Sequence, residues 1–173
     1  RAAAVAPIAD LQIEYSLLSR GIEDAILPTC RALGIGVTAY GVLSRGLLGG
    51  GWSAAQPRER DFRAASPRFQ GANLEHNLAL VDALRTIADE KGSNPAQIAS
   101  AWVLSRGDDI VPLIGARKRT QLQDALQASS MQLTVDDIAR IEAAVPAGAA
   151  AGERYPAAQM AHLDSEQGGG RHA

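Results

Sequence analysis

A short turn in the second half of the chain has the composition of a phosphate-binding site. Gly115 and Ala116 precede Arg117, and a helix is predicted to begin near Thr120. A glycine turn that leads into a helix N-terminus directs several backbone N–H groups and the positive end of the helix dipole outward. The Arg117 guanidinium would add a bidentate, charge-assisted hydrogen bond to a phosphate. The alternative is that the basic cluster 117–119 is only a solvated helix start.

A second group of candidates lies where the predicted strand Ile35–Tyr40 ends. Its β-branched and apolar residues are typical of a buried parallel strand. Tyr40 lies at the carboxyl end, the side on which barrels of parallel strands place their ligands. The following loop, 41–46, offers free backbone N–H groups that can form an anion-binding nest. The alternative for Tyr40 is a core tyrosine. The glycines 49–51 lack GxGxxG spacing and indicate a flexible loop tip.

These candidates depend on the elements that hold them. Periodicity and capping residues predict strand 11–18, a helix within 22–33, strand 35–40, an irregular region 41–72, helices 73–92 and 94–107, strand 110–114, and helices 120–127 and 134–145. Asn94, Pro95 and Gln97 form the strongest helix start, with an N-cap, a first-turn proline and a capping box. The alternation predicts an α/β fold of parallel βαβ units. Three such strands are too few to close a barrel, which takes about eight.

The composition excludes several classes of protein. The chain has 173 residues, of which 46% are hydrophobic, and this suffices for one core. Lysine and arginine number 17 against 19 aspartates and glutamates, so we expect no nucleic-acid partner. No run approaches the ~20 apolar residues of a membrane helix, and no basic-then-apolar leader is present. We therefore expect no membrane partner.

The cysteine content and the first residue carry two further expectations. Cys30 is the single cysteine, so no internal disulfide can form and a reducing, cytoplasmic location is expected. Its surroundings indicate a small helix residue rather than a nucleophile. The chain opens with Arg1 and runs directly into what resembles the end of a helix. We therefore expect a piece of a longer protein.

Four segments together resemble the aldo-keto reductase family. They are QIEYSL at 12–17, GIGVTAYGVLSRG at 34–46, NPAQIASAWVL at 94–104 and IGARKRTQL at 114–122. Their order is similar to strand six, strand seven with its loop, the helix before strand eight, and the phosphate turn after that strand. The resemblance implies a partial (β/α)8 TIM barrel covering about strands six to eight. It also implies a parent enzyme that transfers hydride between NADP(H) and a carbonyl compound or alcohol.

The resemblance further implies which residues would bind the cofactor. The set comprises Gln12, Tyr40, Gly41, Val42, Leu43, Arg45, Gly46, Ile114, Gly115, Ala116, Arg117, Gln121 and Asp124. Gln12 would hydrogen-bond the nicotinamide carboxamide, because an amide offers both a donor and an acceptor. Tyr40 would stack on the nicotinamide ring. The loop 41–46 would meet the pyrophosphate, and the turn 114–117 the adenosine 2′-phosphate.

Three positions depart from the family pattern. Gly41 and Val42 replace a common Ser-Pro pair, which removes a hydroxyl and a rigid φ angle and leaves backbone groups as the phosphate ligands. Gln121 and Asp124 match positions that touch adenosine. A family asparagine near them is Ala125 here, which weakens the contact with adenine.

The family's catalytic Asp, Tyr, Lys and His lie at the ends of the first four strands, all of which would precede Arg1. The resemblance therefore implies no catalytic residue in this chain. Tyr15, Tyr40 and Tyr155 lie outside the matching motif, and His76, His162 and His172 are interpreted as surface residues. We expect residues 1–145 to form a partial reductase domain and residues 146–173 a mobile tail.

The expected function is the C-terminal part of an NADP(H)-dependent reductase of aldehydes and ketones, inactive as this chain alone. Its intact parent would take a small-molecule carbonyl substrate. The alternative is a non-catalytic nucleotide-binding or interaction module completed by a partner chain, because a half barrel leaves an open strand edge and an uncovered face. A helix-turn-helix module at 94–127 is disfavoured by the intervening strand and the lack of a basic face.

Overall fold

The computed structural model describes residues 1–52 and 61–163, which contain three strands and six α-helices. The elements are β1 (Asp10–Glu14), α1 (Ile26–Ala32), β2 (Gly36–Tyr40), α2 (Gly71–Glu90), α3 (Pro95–Leu104), β3 (Ile110–Pro112), α4 (Arg119–Ser129), α5 (Val135–Ala144) and α6 (Ala157–Met160). Short 3-10 helices lie at Ala2–Ala4, Ser44–Gly49, Phe62–Ala65 and Pro67–Phe69. Across this described part, no helix combines the length and apolar character needed to cross a membrane.

The three strands form one parallel sheet in the order β1-β2-β3. Gln12 pairs with Thr38 between β1 and β2, and Ala39 pairs with Pro112 between β2 and β3. A helix follows β1, and the pair α2 and α3 separates β2 from β3, so all three carboxyl ends lie along one edge. The prediction of an α/β fold built from parallel βαβ units is confirmed.

The two faces of the sheet differ in burial. Val37 and Ile110 point to the helices and lie in the core. On the other face Gln12, Thr38 and Val111 are aligned by the strand register. Gln12 is exposed, Thr38 is half-buried, and Val111 is 61% exposed. Within the described residues, one sheet face is covered by helices and the other is open at Gln12 and Val111, as expected for an arc of a parallel barrel viewed from its lumen, although Glu14 at its carboxyl end is buried.

Local capping interactions fix the starts of the helices that flank β3. Asn94 Oδ1 accepts a hydrogen bond from the Gln97 N–H at 2.9 Å, and Gln97 Oε1 accepts from the Asn94 N–H at 3.0 Å. Pro95 occupies the first helical position. The predicted capping box is therefore confirmed. Thr134 and Asp137 form an equivalent box at the start of α5.

Several element boundaries differ from the sequence prediction. β1 ends at Glu14 because Ser16 and Ser19 pair with each other through their backbones, at 3.2 and 3.0 Å. β3 ends at Pro112, which has no N–H for the ladder, although the Leu113 N–H still donates to the sheet. Asn73 does not cap α2, which begins at residue 71. Its side chain donates to the Pro67 carbonyl at 3.1 Å instead.

The segment after α5 packs against the rest of the molecule, whereas its composition predicted a mobile tail. Residues 149–155 form what we call the C-terminal strap. Asn77 of α2 binds both backbone groups of Ala151, at 2.8 and 2.9 Å, and Arg154 is only 2% exposed. These contacts are made by backbone and polar groups. The sequence of the strap therefore has no hydrophobic periodicity that would predict its packing. The predicted domain boundary at residue 145 stays a prediction, and residues 164–173 lie outside the described part.

Candidate functional site

The carboxyl edge of the sheet brings together two of the segments predicted from the sequence. Tyr40 is the last residue of β2, and the turn 113–118 follows β3 directly. Ala39 and Pro112 are paired, and the Leu113 N–H donates to the Ala39 carbonyl at 2.8 Å. Tyr40 and the phosphate-turn candidates therefore leave the sheet from adjacent strands on the same edge.

Tyr40 is half-buried and lies beside the Tyr155 side chain of the strap. Burial, then the hydrogen-bonding influence of Tyr155 and the negative charge of Glu14, raises the pKa of Tyr40 to about 12. The phenol is thus neutral throughout the physiological range. Gln12 lies on β1 with an exposed side chain, on the same sheet face as Tyr40.

The loop after β2 is a compact turn with left-handed backbone. The Ser44 N–H donates to the Gly41 carbonyl at 2.7 Å, and the Gly46 N–H to the Leu43 carbonyl at 2.8 Å. Ser44 and Arg45 have φ of 46° and 57°, unusual for residues other than glycine. Val42 is 1% exposed and belongs to the core, whereas Leu43 is half-buried. Val42 therefore offers a ligand its backbone at most.

Glycine at position 41 is favoured by the close approach of Glu14 as well as by its φ of 69°. A Cβ added at this position would lie 3.0 Å from Glu14 Cγ. This is tighter than most Cβ contacts in proteins, so a larger residue here would require the Glu14 side chain to shift by a few tenths of an ångström. The departure from the family's serine at Gly41 thus has a steric basis in this chain.

Arg45 contacts the C-terminal strap. Its Nη1 donates to the Arg154 carbonyl, and its guanidinium lies over the Tyr155 ring at 4.2 Å from the ring centre. Arg45 Nη2 is also 4.0 Å from Glu14 Oε2. The guanidinium predicted to lie near a pyrophosphate is therefore held from two sides by protein groups.

A buried polar cluster at this end of the sheet was not predicted from the sequence. Glu14, 6% exposed, accepts from Arg154 Nη1 at 2.8 Å and from Ser19 Oγ at 3.0 Å. Arg68 Nη1 donates to the same Ser19 oxygen at 2.9 Å. Glu14 and Arg154 are 140 residues apart, and no local pattern relates them. A glutamate ending a buried strand was the one available signal, because such a charge requires a partner.

The basic turn at the other end is open to solvent. Residues 115–119 are exposed, and Ile114 before them packs against the core. Among the described residues, no salt bridge engages the side chains of 117–119. Gln121 Oε1 accepts from the Arg117 N–H at 2.8 Å and from the Lys118 N–H at 3.1 Å. These two amides are therefore already bonded, and Gly115, Ala116 and the cationic side chains carry the remaining capacity to bind an anion.

Asp124 connects two helices. Its Oδ1 accepts from Asn94 Nδ2 at 3.1 Å and from Gln97 Nε2 at 3.3 Å, so α4 is tied to the start of α3. The half-buried carboxylate has a structural role in addition to any contact with adenosine. Ala125, the departure noted above, is also half-buried.

The remaining tyrosine and the histidines do not direct their side chains into this site, although the Tyr15 N–H donates to the Tyr40 carbonyl at 3.1 Å. Tyr15 is fully buried and donates to Glu23 Oε1 at 2.5 Å, and burial raises its pKa above the usual value. His76 is exposed and contacts the Ala149 carbonyl at 2.8 Å, and His162 is exposed as well. His172 lies outside the described residues. Over residues 1–52 and 61–163, no group of three His, Cys, Asp or Glu side chains is placed to hold a metal ion.

Comparison with known proteins agrees with this geometry. The model of the aldo/keto reductase family matches residues 1–146. A probable aldo-keto reductase of Glycine max is 41% identical over 155 residues, covering 90% of this chain and 45% of the relative. The solved glycerol dehydrogenase AKR11B4 of Gluconobacter oxydans aligns with a TM-score of 0.76 and 33% identity, over 82% of this chain and 43% of that one. The chain spans less than half the length of these relatives, and it belongs to the aldo/keto reductase family.

Proposed function

We propose that this chain forms the cofactor-binding part of an NADP(H)-dependent carbonyl reductase. The observation that carries the proposal is the shared edge: Tyr40 and the basic turn 115–119 follow adjacent parallel strands. A dinucleotide lying along that edge would place its nicotinamide at Tyr40 and its adenosine 2′-phosphate at Arg117. Arrangement of ligands at the carboxyl ends of strands is general for parallel barrels.

The residues at both ends fit the two halves of this cofactor. The neutral, half-buried Tyr40 ring offers a flat apolar face for stacking, and exposed Gln12 offers an amide on the same sheet face. The three cations at 117–119 are exposed, and a phosphate dianion would neutralise them. When bound, NADPH supplies the hydride for reduction of an aldehyde or ketone.

This chain would orient the cofactor without carrying out proton transfer. By family resemblance, the acid that protonates the carbonyl oxygen belongs to strands outside this sequence. We therefore expect no NADPH-dependent turnover of a generic aldehyde by the purified chain. Measurable turnover would contradict this assignment. We also propose that the intact parent acts on a small-molecule carbonyl compound in the cytoplasm.

Binding measurements test the proposal directly. The purified chain is titrated with NADPH and with NADH, and nicotinamide fluorescence is followed. We expect tighter binding of NADPH, and Arg117→Met should weaken NADPH binding by about fivefold while changing NADH binding little, as expected for loss of an exposed phosphate contact of at most about 1 kcal/mol. Arg140→Met is the matched control, because Arg140 is an exposed arginine on α5 paired with Glu90. Equal affinity for the two nucleotides would overturn the preference for NADP(H).

The open sheet face supports a second candidate, a module completed by strands from another polypeptide. Val111 is 61% exposed and Leu113 is 49% exposed, on a sheet whose parallel order leaves β1 and β3 at its edges. Light scattering of the purified chain distinguishes the cases. Self-association or capture of the missing strands supports this candidate, and a stable, folded monomer counts against it.

A further inference from the structure

We propose that Arg154 is a positioning residue for the cofactor, acting through the C-terminal strap on the loop 41–46 and on Tyr40. The inference rests on the proposed function, because the ligand that this loop would meet is the nicotinamide and pyrophosphate half of NADP(H). Arg154 does not itself contact the ligand in this account. It holds the groups that do.

The strap is anchored by a buried ion pair. Arg154 Nη1 donates to Glu14 Oε2 at 2.8 Å, and the two side chains are 2% and 5% exposed. The strap is therefore fixed to the carboxyl end of β1, next to the strand that carries Tyr40.

The ion pair controls the first residue of the loop through Glu14. The Glu14 side chain packs against Gly41 so closely that an added Cβ would lie 3.0 Å from its Cγ. Arg154 holds the Glu14 carboxylate in this position. Without Arg154 the carboxylate would keep its hydrogen bond from Ser19 but lose its closest cation, so its contact with Gly41 would loosen.

The strap also holds the far part of the loop. The Arg154 carbonyl accepts from Arg45 Nη1, and the Tyr155 ring supports the Arg45 guanidinium at 4.2 Å. Arg45 and Ser44 have positive φ, a conformation that persists only where surrounding contacts determine it. The strap supplies several of those contacts, and Ser44 adds a side-chain hydrogen bond to Ser16 at 3.1 Å.

The same segment also lies against Tyr40. Tyr155 follows Arg154 directly and lies beside the Tyr40 hydroxyl. One short segment thus contacts both the ring proposed to stack on nicotinamide and the loop proposed to face the pyrophosphate. A preorganised site binds more tightly because the bound geometry is already populated.

The test compares two ligands on the full chain. NADPH spans the whole edge, whereas 2′,5′-ADP reports only on the turn 115–119. If loss of the strap leaves the loop in its binding geometry about a tenth of the time, Arg154→Met should raise the Kd for NADPH about tenfold. The Kd for 2′,5′-ADP should change by less than about twofold, as for a distant, independent site. Hydrogen exchange of the amides in 41–46 should become faster.

Further variants separate positioning from folding. The double variant Glu14→Gln with Arg154→Met avoids a lone buried charge and should show the same selective loss. Arg154→Lys keeps the positive charge and should restore part of the NADPH affinity. Arg140→Met is the control for removal of an arginine. In folded variants, an unchanged NADPH affinity, or an equal loss for both ligands, would overturn the inference. Failure of the unsubstituted chain to bind either ligand would instead overturn the proposed function.

Discussion

The two ends of the candidate site are built in different ways. At the Tyr40 end, the geometry depends on Glu14 and Arg154, which meet across 140 residues and are almost fully buried. At the Arg117 end, the turn is exposed and its internal hydrogen bonds run to Gln121, four residues away. The first end has its shape fixed by tertiary contacts, whereas the second contributes charge on a locally formed turn. A substitution at the Tyr40 end should therefore mainly lower the free energy of unfolding. A substitution at the Arg117 end should mainly weaken the binding of a charged ligand.

The largest effect is expected from breaking the buried ion pair. Arg154→Met leaves the Glu14 carboxylate without its principal cation, and loss of one partner of a buried pair costs about 3–5 kcal/mol of unfolding free energy. Urea denaturation followed by tryptophan fluorescence measures this loss. Arg117→Met, at the exposed end, is the control and should change stability by at most about 0.5 kcal/mol. Similar losses in both variants would remove the contrast between the ends.

A matched pair of glycines sharpens the same comparison. Gly41 and Gly34 have φ of 69° and 66°, but an added Cβ meets Glu14 at Gly41 and nothing within 4 Å at Gly34. Gly34→Ala should cost about 1–2 kcal/mol of unfolding free energy for the left-handed conformation alone. Gly41→Ala should cost about 1 kcal/mol or more beyond that, because the contact with Glu14 must yield. Equal losses for the two variants would show that Glu14 does not constrain the loop.

The alkaline titration of Tyr40 reports how far the Tyr40 end of the site is shielded from solvent. Burial first, then Tyr155 and Glu14, raises its pKa from 10.0 to about 12. Since the folded-state pKa is the higher one, the contribution of Tyr40 to stability is complete below pH 10 and is lost as the pH rises toward about 12. Tyrosinate absorbance of the unsubstituted chain minus that of Tyr40→Phe isolates this group. A midpoint near 10 would mean that Tyr40 is freely solvated.

The smallest effect concerns salt at the exposed end. Ionic strength screens exposed charges strongly, because the Debye length falls from about 10 Å at 0.1 M to about 3 Å at 1 M. The Kd for NADPH should rise by about two- to fivefold over this range, consistent with an exposed charge contact of at most about 1 kcal/mol. In Arg117→Met the rise should be smaller. If this substitution left the salt dependence of the Kd unchanged, the phosphate would not be bound by Arg117.

The contrast between local and distant contacts also explains what the sequence could predict. The capping box of Asn94 and Gln97 and the parallel strands were predictable, because their signals lie within a few neighbouring residues. The packing of Gln121 on the amides of the basic turn has the same short spacing and was accessible in principle. The family resemblance was carried by such local segments.

The strap was not predictable because its contacts are neither local nor hydrophobic. Its sequence, AAAGERY, has no periodicity that indicates packing, and it is held by Asn77 on the backbone of Ala151 and by Glu14 on Arg154. Composition alone therefore predicted a mobile tail. The cap predicted at Asn73 failed for a related reason, since its side chain binds the Pro67 carbonyl.

A structure of this chain determined with NADP(H) bound tests the central claim most directly. We predict that the nicotinamide ring stacks on Tyr40 while the adenosine 2′-phosphate lies within hydrogen-bond distance of the Arg117 guanidinium, with one cofactor spanning the carboxyl ends of β2 and β3. A cofactor bound elsewhere, or with its 2′-phosphate directed away from the turn 115–119, would contradict the account.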